Sequence, residues 1–281
     1  AGVGVPYHGR FGNGRIEGWL DGARALDLNQ MGDADVSARI ARELAKLHAF
    51  ELPSCANSAS DRAESNNIHS QNASAKPTMW PQLWSWLKQA QDTCHEIEGR
   101  WGSDAAARFD DIHSRFLSTN NNNNDCSSGG GGVSAWRLDG AEAELVELER
   151  SLPASPAVFA HNDALAGNIM LDSATGDVTL IDFEYGGCNF RGFDIANHWN
   201  EWAGGTQAEM NGRCEYERFP SPEQQYAFAE NYLRQETLLK AESMIKTGLL
   251  NDPGDTGEEQ SAAFLENIVD AAMDDGAIQA L

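Results

Sequence analysis

The sequence contains no run of about 18 apolar residues, the least that spans a bilayer as a helix, so nothing in it reads as a membrane anchor. It has no CxxC pair. Its five cysteines, Cys55, Cys94, Cys126, Cys188 and Cys214, are scattered and odd in number, which argues against a disulfide framework or a zinc site and fits a reducing compartment. Positive charge is scarce: 20 Lys and Arg stand against 43 Asp and Glu, a formal net charge of −23. A nucleic-acid surface needs clustered Lys and Arg, so nucleic acid is a poor partner. Excess acid favours cationic ligands and opposes anionic ones unless counterions screen it, although a solvated surface kept soluble by charge accounts for most of the excess. The opening Ala-Gly-Val-Gly-Val-Pro has neither Met nor a basic-then-apolar leader. The expectation is a cytoplasmic protein, present here as a fragment or a processed chain.

What is present is concentrated between Val158 and Asp182. The chain reads Val-Phe-Ala-His161-Asn162-Asp163-Ala-Leu-Ala-Gly-Asn168-Ile-Met-Leu, a short turn, then Thr-Leu-Ile-Asp182-Phe-Glu. His-x-Asp, an Asn five residues after the Asp, and a hydrophobic-flanked Asp-Phe form the layout of kinase-type phosphoryl transfer. In that layout Asp163 accepts the proton of an attacking hydroxyl, while Asn168 and Asp182 hold the Mg²⁺ that bridges the ATP phosphates. Hard oxygen donors suit Mg²⁺, and a carboxylate beside them can act as base. Residues 157–160 read as an apolar strand, 168–171 as a second, 172–177 with Gly176 as a hairpin turn, and 178–181 as a third strand. Three oxygen-bearing groups can then converge on one point. The plain alternative, an acidic loop beside a hairpin, lacks a reason for this strand-loop-strand context.

The residues that follow narrow the reading. Phe183-Glu-Tyr-Gly-Gly-Cys-Asn-Phe-Arg-Gly-Phe-Asp194-Ile-Ala-Asn197-His198-Trp-Asn-Glu201-Trp202-Ala-Gly resembles the choline/ethanolamine kinase family, whose members carry Glu in place of the Gly of Asp-Phe-Gly. Val-Phe-Ala-His-Asn-Asp, Asn-Glu-Trp-Ala-Gly and the run from Cys214 to Tyr226 look more like ethanolamine than choline kinases. The resemblance extends, with gaps, from Tyr7 to Leu233. It implies an α+β, protein-kinase-like fold, with residues 1–25 as the last hairpin and hinge of the small lobe. Residues 26–281 would be the helical large lobe, with a low-complexity insertion near 118–133. It implies ATP-dependent phosphorylation of ethanolamine, the first step of phosphatidylethanolamine synthesis, with a small amino alcohol and ATP as partners. Choline kinase is the nearest alternative; a non-catalytic kinase-like binding protein and an aminoglycoside-type phosphotransferase are more distant ones.

The resemblance also implies roles. The segment from Ile16 to Leu20 would meet the adenine edge, and Glu201 would orient the ammonium. Tyr185 and Trp202 would wall the acceptor site, and Asp194, grouped with these substrate residues, sits where the family braces its catalytic loop. A carboxylate beside aromatic rings is what an ammonium ligand needs; the residues alone leave Trp199 as core and Glu201 as a surface residue equally open. Two departures matter. Nothing before Tyr7 supplies the Gly-rich loop, strand Lys or Arg and helix Glu of kinase chemistry, and the chain stops before the family's Trp-rich helical segment. The expectation is a fragment that turns over poorly.

Elsewhere the signals are structural. Asn13-Gly14 marks a hairpin. Residues 35–48 read as an amphipathic helix with Val36, Ile40, Leu44 and Leu47 on one face, capped by Asp33 or Asp35. His48, at its end, reads as facing the last carbonyls. Residues 53–76 read as a loop. Trp80, Leu83, Trp84 and Leu87 read as a core stripe, with helical character running on to Phe116. Leu145, Leu148 and Leu152 read as an apolar face, and Glu142, Glu144, Glu147 and Glu149 as a solvated one. A helix from Ser221 to Lys240 begins at Ser-Pro-Glu, with Tyr226, Ala229, Leu233 and Thr237 along a face. Residues 251–259 read as a loop before an acidic helix over 260–281.

Overall fold

The computed structural model describes residues 3–50, 77–105, 107–108, 138, 140–205, 214–250 and 258–273. The expected loop at 53–76, the low-complexity insertion, the helical continuation from 109 to Phe116, most of the 251–259 loop and the last eight residues lie outside them.

The Gly12-Asn13 turn joins β1 (Tyr7–Phe11) to β2 (Gly14–Glu17) as an antiparallel hairpin. β3 (Ala23–Ala25) then pairs with a strand far along the chain. Helix α1 (Ala34–His48) starts where Asp33 accepts the amides of Asp35 and Val36 at 3.0 and 3.1 Å, a cap that satisfies two otherwise orphaned donors. Ile40, Ala41, Leu44, Ala45 and Leu47 are its buried face. Helices α2 (Met79–Trp101) and α3 (Ala141–Ser151) follow.

β4 (Ala157–Ala160) leads into the loop carrying His161 to Gly167, and β5 (Ile169–Asp172) leaves it. The turn back is built locally: Asp172 Oδ1 accepts the Ala174 amide at 2.7 Å, and Gly176 supplies the φ of +75° that the reversal requires. β6 (Val178–Leu180) returns beside β5, giving an antiparallel sheet in the order β3-β5-β6. β7 (Gly187–Phe190) pairs antiparallel with β4 and runs directly into α4 (Arg191–Glu201). α5 (Pro222–Lys246) opens on a capping box, Ser221 with Gln224, and Pro at its first turn. α6 (Glu258–Ala272) closes the described chain.

Two units divide these elements. Thr78–Ala154 holds α2 and α3; Ala1–Pro77 together with Ser155–Leu281 holds everything else. Across residue 25 the chain is tied to the catalytic hairpin: β3 pairs with β5, and the Leu26 amide donates to Ile169 O at 2.9 Å. In the larger unit the core joins the buried face of α1 to Ile169, Leu180, Ile195, Trp202 and, from α5, Phe228, Ala229, Tyr232 and Leu233. Tyr226, expected on that face, is exposed.

In the smaller unit the expectations need correcting. Trp80, Leu83, Trp84 and Leu87 are only half-buried, with the Trp84 indole donating to Glu149 at 3.2 Å. Leu148 and Leu152 are exposed. Helical spacing of apolar residues shows which face could be buried, and burial itself depends on what the rest of the chain brings to it. Among the described residues no helix is long and apolar enough to cross a membrane.

Candidate active site

The larger unit brings the loop after β4, the strand end after β6 and the end of α4 to one place. Asn168 donates through Nδ2 to Asp163 Oδ2 at 2.8 Å and to Asp163 O at 2.9 Å. Its amide oxygen is thereby left as the atom able to bind a cation. The Ile181 amide donates to Asn168 O at 2.9 Å, tying the residue before Asp182 to the loop. Asp182 adopts φ 61° and ψ 65°, and Asn162 has φ 65°. Left-handed backbone at two non-glycine residues costs of order 1 kcal/mol or more each and persists only where surroundings impose it.

Those surroundings are specific. Asn162 donates to Tyr185 O at 2.8 Å and accepts from Asn189 Nδ2 at 2.7 Å. Asp194, fully buried, accepts the His161 amide at 2.8 Å, the Asn162 amide at 2.7 Å and His48 Nε2 at 2.9 Å. These bonds hold its carboxyl below its usual range despite burial that opposes ionisation, the His48 bond contributing most to the lowering. Asp194 therefore lies beneath the loop and out of reach of a substrate. His48 is corrected as well: it is buried between Asp194 and the Tyr232 hydroxyl, 2.8 Å from Nδ1, and caps no carbonyl. His161 is also buried, donating through Nε2 to Ile181 O at 2.9 Å. It shapes the loop that presents Asp163.

Beside these groups stands Glu201. One carboxylate oxygen, Oε2, is buried without a hydrogen-bond partner, and burial followed by the charge of Asp163 pushes its pKa up. Asp163 is also raised, chiefly by burial. Glu201 thus lies within electrostatic reach of Asp163. Tyr185 is exposed at the rim. Trp202 is 4% exposed and donates its indole N–H to His198 Nε2 at 3.3 Å, so it belongs to the core and is withdrawn from the expected wall.

The sequence reading did not single out Arg15. Its guanidinium reaches Asp182 Oδ1 at 3.1 Å and Glu17 at 2.8 Å, so a cation already rests on the carboxylate expected to hold Mg²⁺. An Arg just after a hairpin turn carries no local signal of such a partner. Ile16 and Trp19, expected near an adenine, are both exposed. Among the described residues no group of three or more His, Cys, Asp or Glu side chains could hold a metal alone. The donor set still fits Mg²⁺, which takes few protein oxygens and completes its shell with phosphate and water; Asp182 and the Asn168 amide oxygen would be its ligands.

Comparison with known proteins places the chain in a family. The family described as choline/ethanolamine kinase matches residues 1–271. A probable ethanolamine kinase of Arabidopsis thaliana is 32% identical over 234 residues, 83% of this chain and 48% of that protein. A probable choline kinase 2 from the same plant is 29% identical over 246 residues, 87% of this chain and 55% of that protein. The chain thus spans about half the length of the curated relatives it matches. The solved structure of a Plasmodium vivax ethanolamine kinase aligns over 100% of this chain and 70% of its own, with TM-score 0.52 and 21% identity. The fold is α+β and protein-kinase-like.

Proposed function

The chain belongs to the choline/ethanolamine kinase family, and from that membership we propose that the complete protein transfers the γ-phosphoryl group of ATP to the hydroxyl of ethanolamine. Asp163 takes the hydroxyl proton as the new P–O bond forms and the bond to the β–γ bridging oxygen breaks, releasing ADP and phosphoethanolamine. Asn168 and Asp182 would hold Mg²⁺, which when bound neutralises charge on the phosphates. Asp194 and His161 keep the loop in position, so the protein contributes mainly placement and electrostatics. The observation that carries the reading is the Asn168 bond to Asp163, which puts a base and a metal-ligating amide at one point on a strained loop.

The amine preference rests on Glu201. Its unpartnered oxygen lies in a buried site whose other carboxylate raises its pKa, and an ammonium relieves both penalties. Ethanolamine offers N–H donors to that oxygen; choline offers only charge and methyl groups. Competing turnover of the two amines by the complete protein is expected to favour ethanolamine in kcat/KM, and a clear choline preference would reverse the assignment. Glu201→Gln is expected to raise KM for ethanolamine more than KM for ATP.

A further inference from the structure

At the opposite end of the catalytic hairpin, the outer side of α1 and the β5–β6 turn enclose a cavity of about 320 Å³. It is lined by Arg39, Arg42, Glu43, Lys46, Asp177 and Thr179, with Val178. Three cations around one cavity stand out in a chain with a net charge of −23. The charges of Glu43 and of nearby Asp35 act on Arg42 in favour of its charged form, but among the described residues neither arginine has an ion-pair partner. Glu43 pairs with Lys46 at 2.6 Å, and Asp177 accepts the Thr175 hydroxyl at 2.7 Å. Arg42 donates to Asn231 Oδ1 at 2.8 Å. Arg39 has no hydrogen-bond or ion-pair partner among the described residues.

The surroundings make Arg42 costly to keep charged. Burial, and next the nearby Arg39 charge, push Arg42 below its ordinary value. Arg39 is held against the turn, where a Cβ on Gly176 would come within 3.2 Å of its Cζ. The turn glycine thus leaves room for a half-buried guanidinium beside a second one. Two planar forks of donors, neither ion-paired to a carboxylate among the described residues, fit a tetrahedral oxyanion, which each can grip through two N–H groups.

We propose that Arg39 and Arg42 form a binding site for a phosphomonoester or phosphate anion, separate from the catalytic groups. The lining extends from Asp177 to Thr179, which pairs with Met170, so at roughly 3.3 Å per residue its nearest strand residue lies about 7 Å along β5 from Asn168. The site needs no phosphotransfer activity and stands or falls independently of it.

The test is calorimetric titration of the protein, without nucleotide or Mg²⁺ and at fixed ionic strength, with inorganic phosphate and with O-phosphoethanolamine. Saturable binding of either anion is expected, weakened about tenfold or more by Arg39→Gln and by Arg42→Gln, since charge-assisted bonds to phosphate are lost. Arg39→Lys keeps the charge and is expected to recover part of the loss. Comparing the two soluble anions separates a free phosphate from a phosphorylated amine. Unfolding of a variant is excluded by its melting curve, and Asp163→Asn, outside the cavity, is expected to bind the anion as the parent does. No saturable binding by the parent protein overturns the proposal. So does binding that both Gln variants leave unchanged, or attachment to phosphatidylserine vesicles that soluble phosphate fails to displace.

Discussion

Asp163 and Glu201 set the behaviour of the site at the scale of single residues, because each is half-buried and raised in pKa, both chiefly by burial. A carboxyl that binds its proton more tightly folded than unfolded favours the native state below the ordinary value, about 4.3 for Glu. That contribution is lost as pH rises through the elevated folded value. Glu201→Gln is therefore expected to melt higher than the parent at pH 7.5 and to converge with it near pH 4, even as ethanolamine binding weakens. Thermal melts at the two pH values check the first half and steady-state KM the second. Asp163→Asn keeps an oxygen for the Asn168 amide to donate to, so its melting temperature should hold while kcat falls by about 10²–10⁴, the range for losing a general base. His198 titrates in the other sense. Its Nδ1 donates to Ala164 O at 2.8 Å, leaving Nε2 to accept from Trp202, and burial lowers its pKa to about 4. The unfolded chain takes that proton near 6.5, so stability present above 6.5 is lost as pH falls towards 4. His198→Gln retains a donor for Ala164 and should flatten the stability profile across that window, at some cost at neutral pH.

Between elements, Asp194 joins the start of α4 to the loop after β4 and the end of α1. Asp194→Asn replaces one acceptor oxygen with a donor facing the amides of His161 and Asn162 or the His48 ring. At least one charge-assisted bond is lost, for about 1.5–3 kcal/mol, and urea denaturation should show it. An unchanged midpoint would mean the loop is held by something else. The same carboxylate marks where sequence reading stops. The strands on either side of the loop, the Asp33 cap of α1 and the Ser221 capping box all rest on residues a few positions apart, so turn chemistry and periodicity reveal them. His48 meets Asp194 across 146 positions and Tyr232 across 184, and Arg15 meets Asp182 across 167; no local rule reports such partners. Trp202 shows the same limit from the other side. Its spacing from Ile195 and His198 puts it on one face of α4, but whether that face meets solvent or Phe228 depends on α5. Of the three leucines expected to form a face near α3, Leu148 and Leu152 are exposed while Leu145 is half-buried. Legible in the sequence were the strands, turns and caps around the loop; the packing that sorts bracing residues from contacting ones was not.

For the whole molecule, 43 acidic side chains against 20 basic ones make self-repulsion a term in stability. Like charges at a surface interact through water and are screened beyond about 8 Å at physiological ionic strength. Raising NaCl at pH 7.5 should therefore raise the melting temperature steadily. Near pH 4.5, where the chain approaches its isoelectric point, the same salt should have little effect, which separates screening from general salting-out. Binding should respond in the same sense. A cationic amine approaching an acidic protein gains from long-range attraction, so its KM should climb with salt if that field assists capture, and stay flat if only the Glu201 contact matters. Phosphate offers the contrasting case. It is repelled by the molecule as a whole, and the proposed Arg39 and Arg42 site would attract it locally, so at matched ionic strength it should raise the melting temperature more than chloride does. Arg39→Gln should erase that difference and leave the response to chloride intact, because one removed charge alters a local site far more than it alters a net charge of −23.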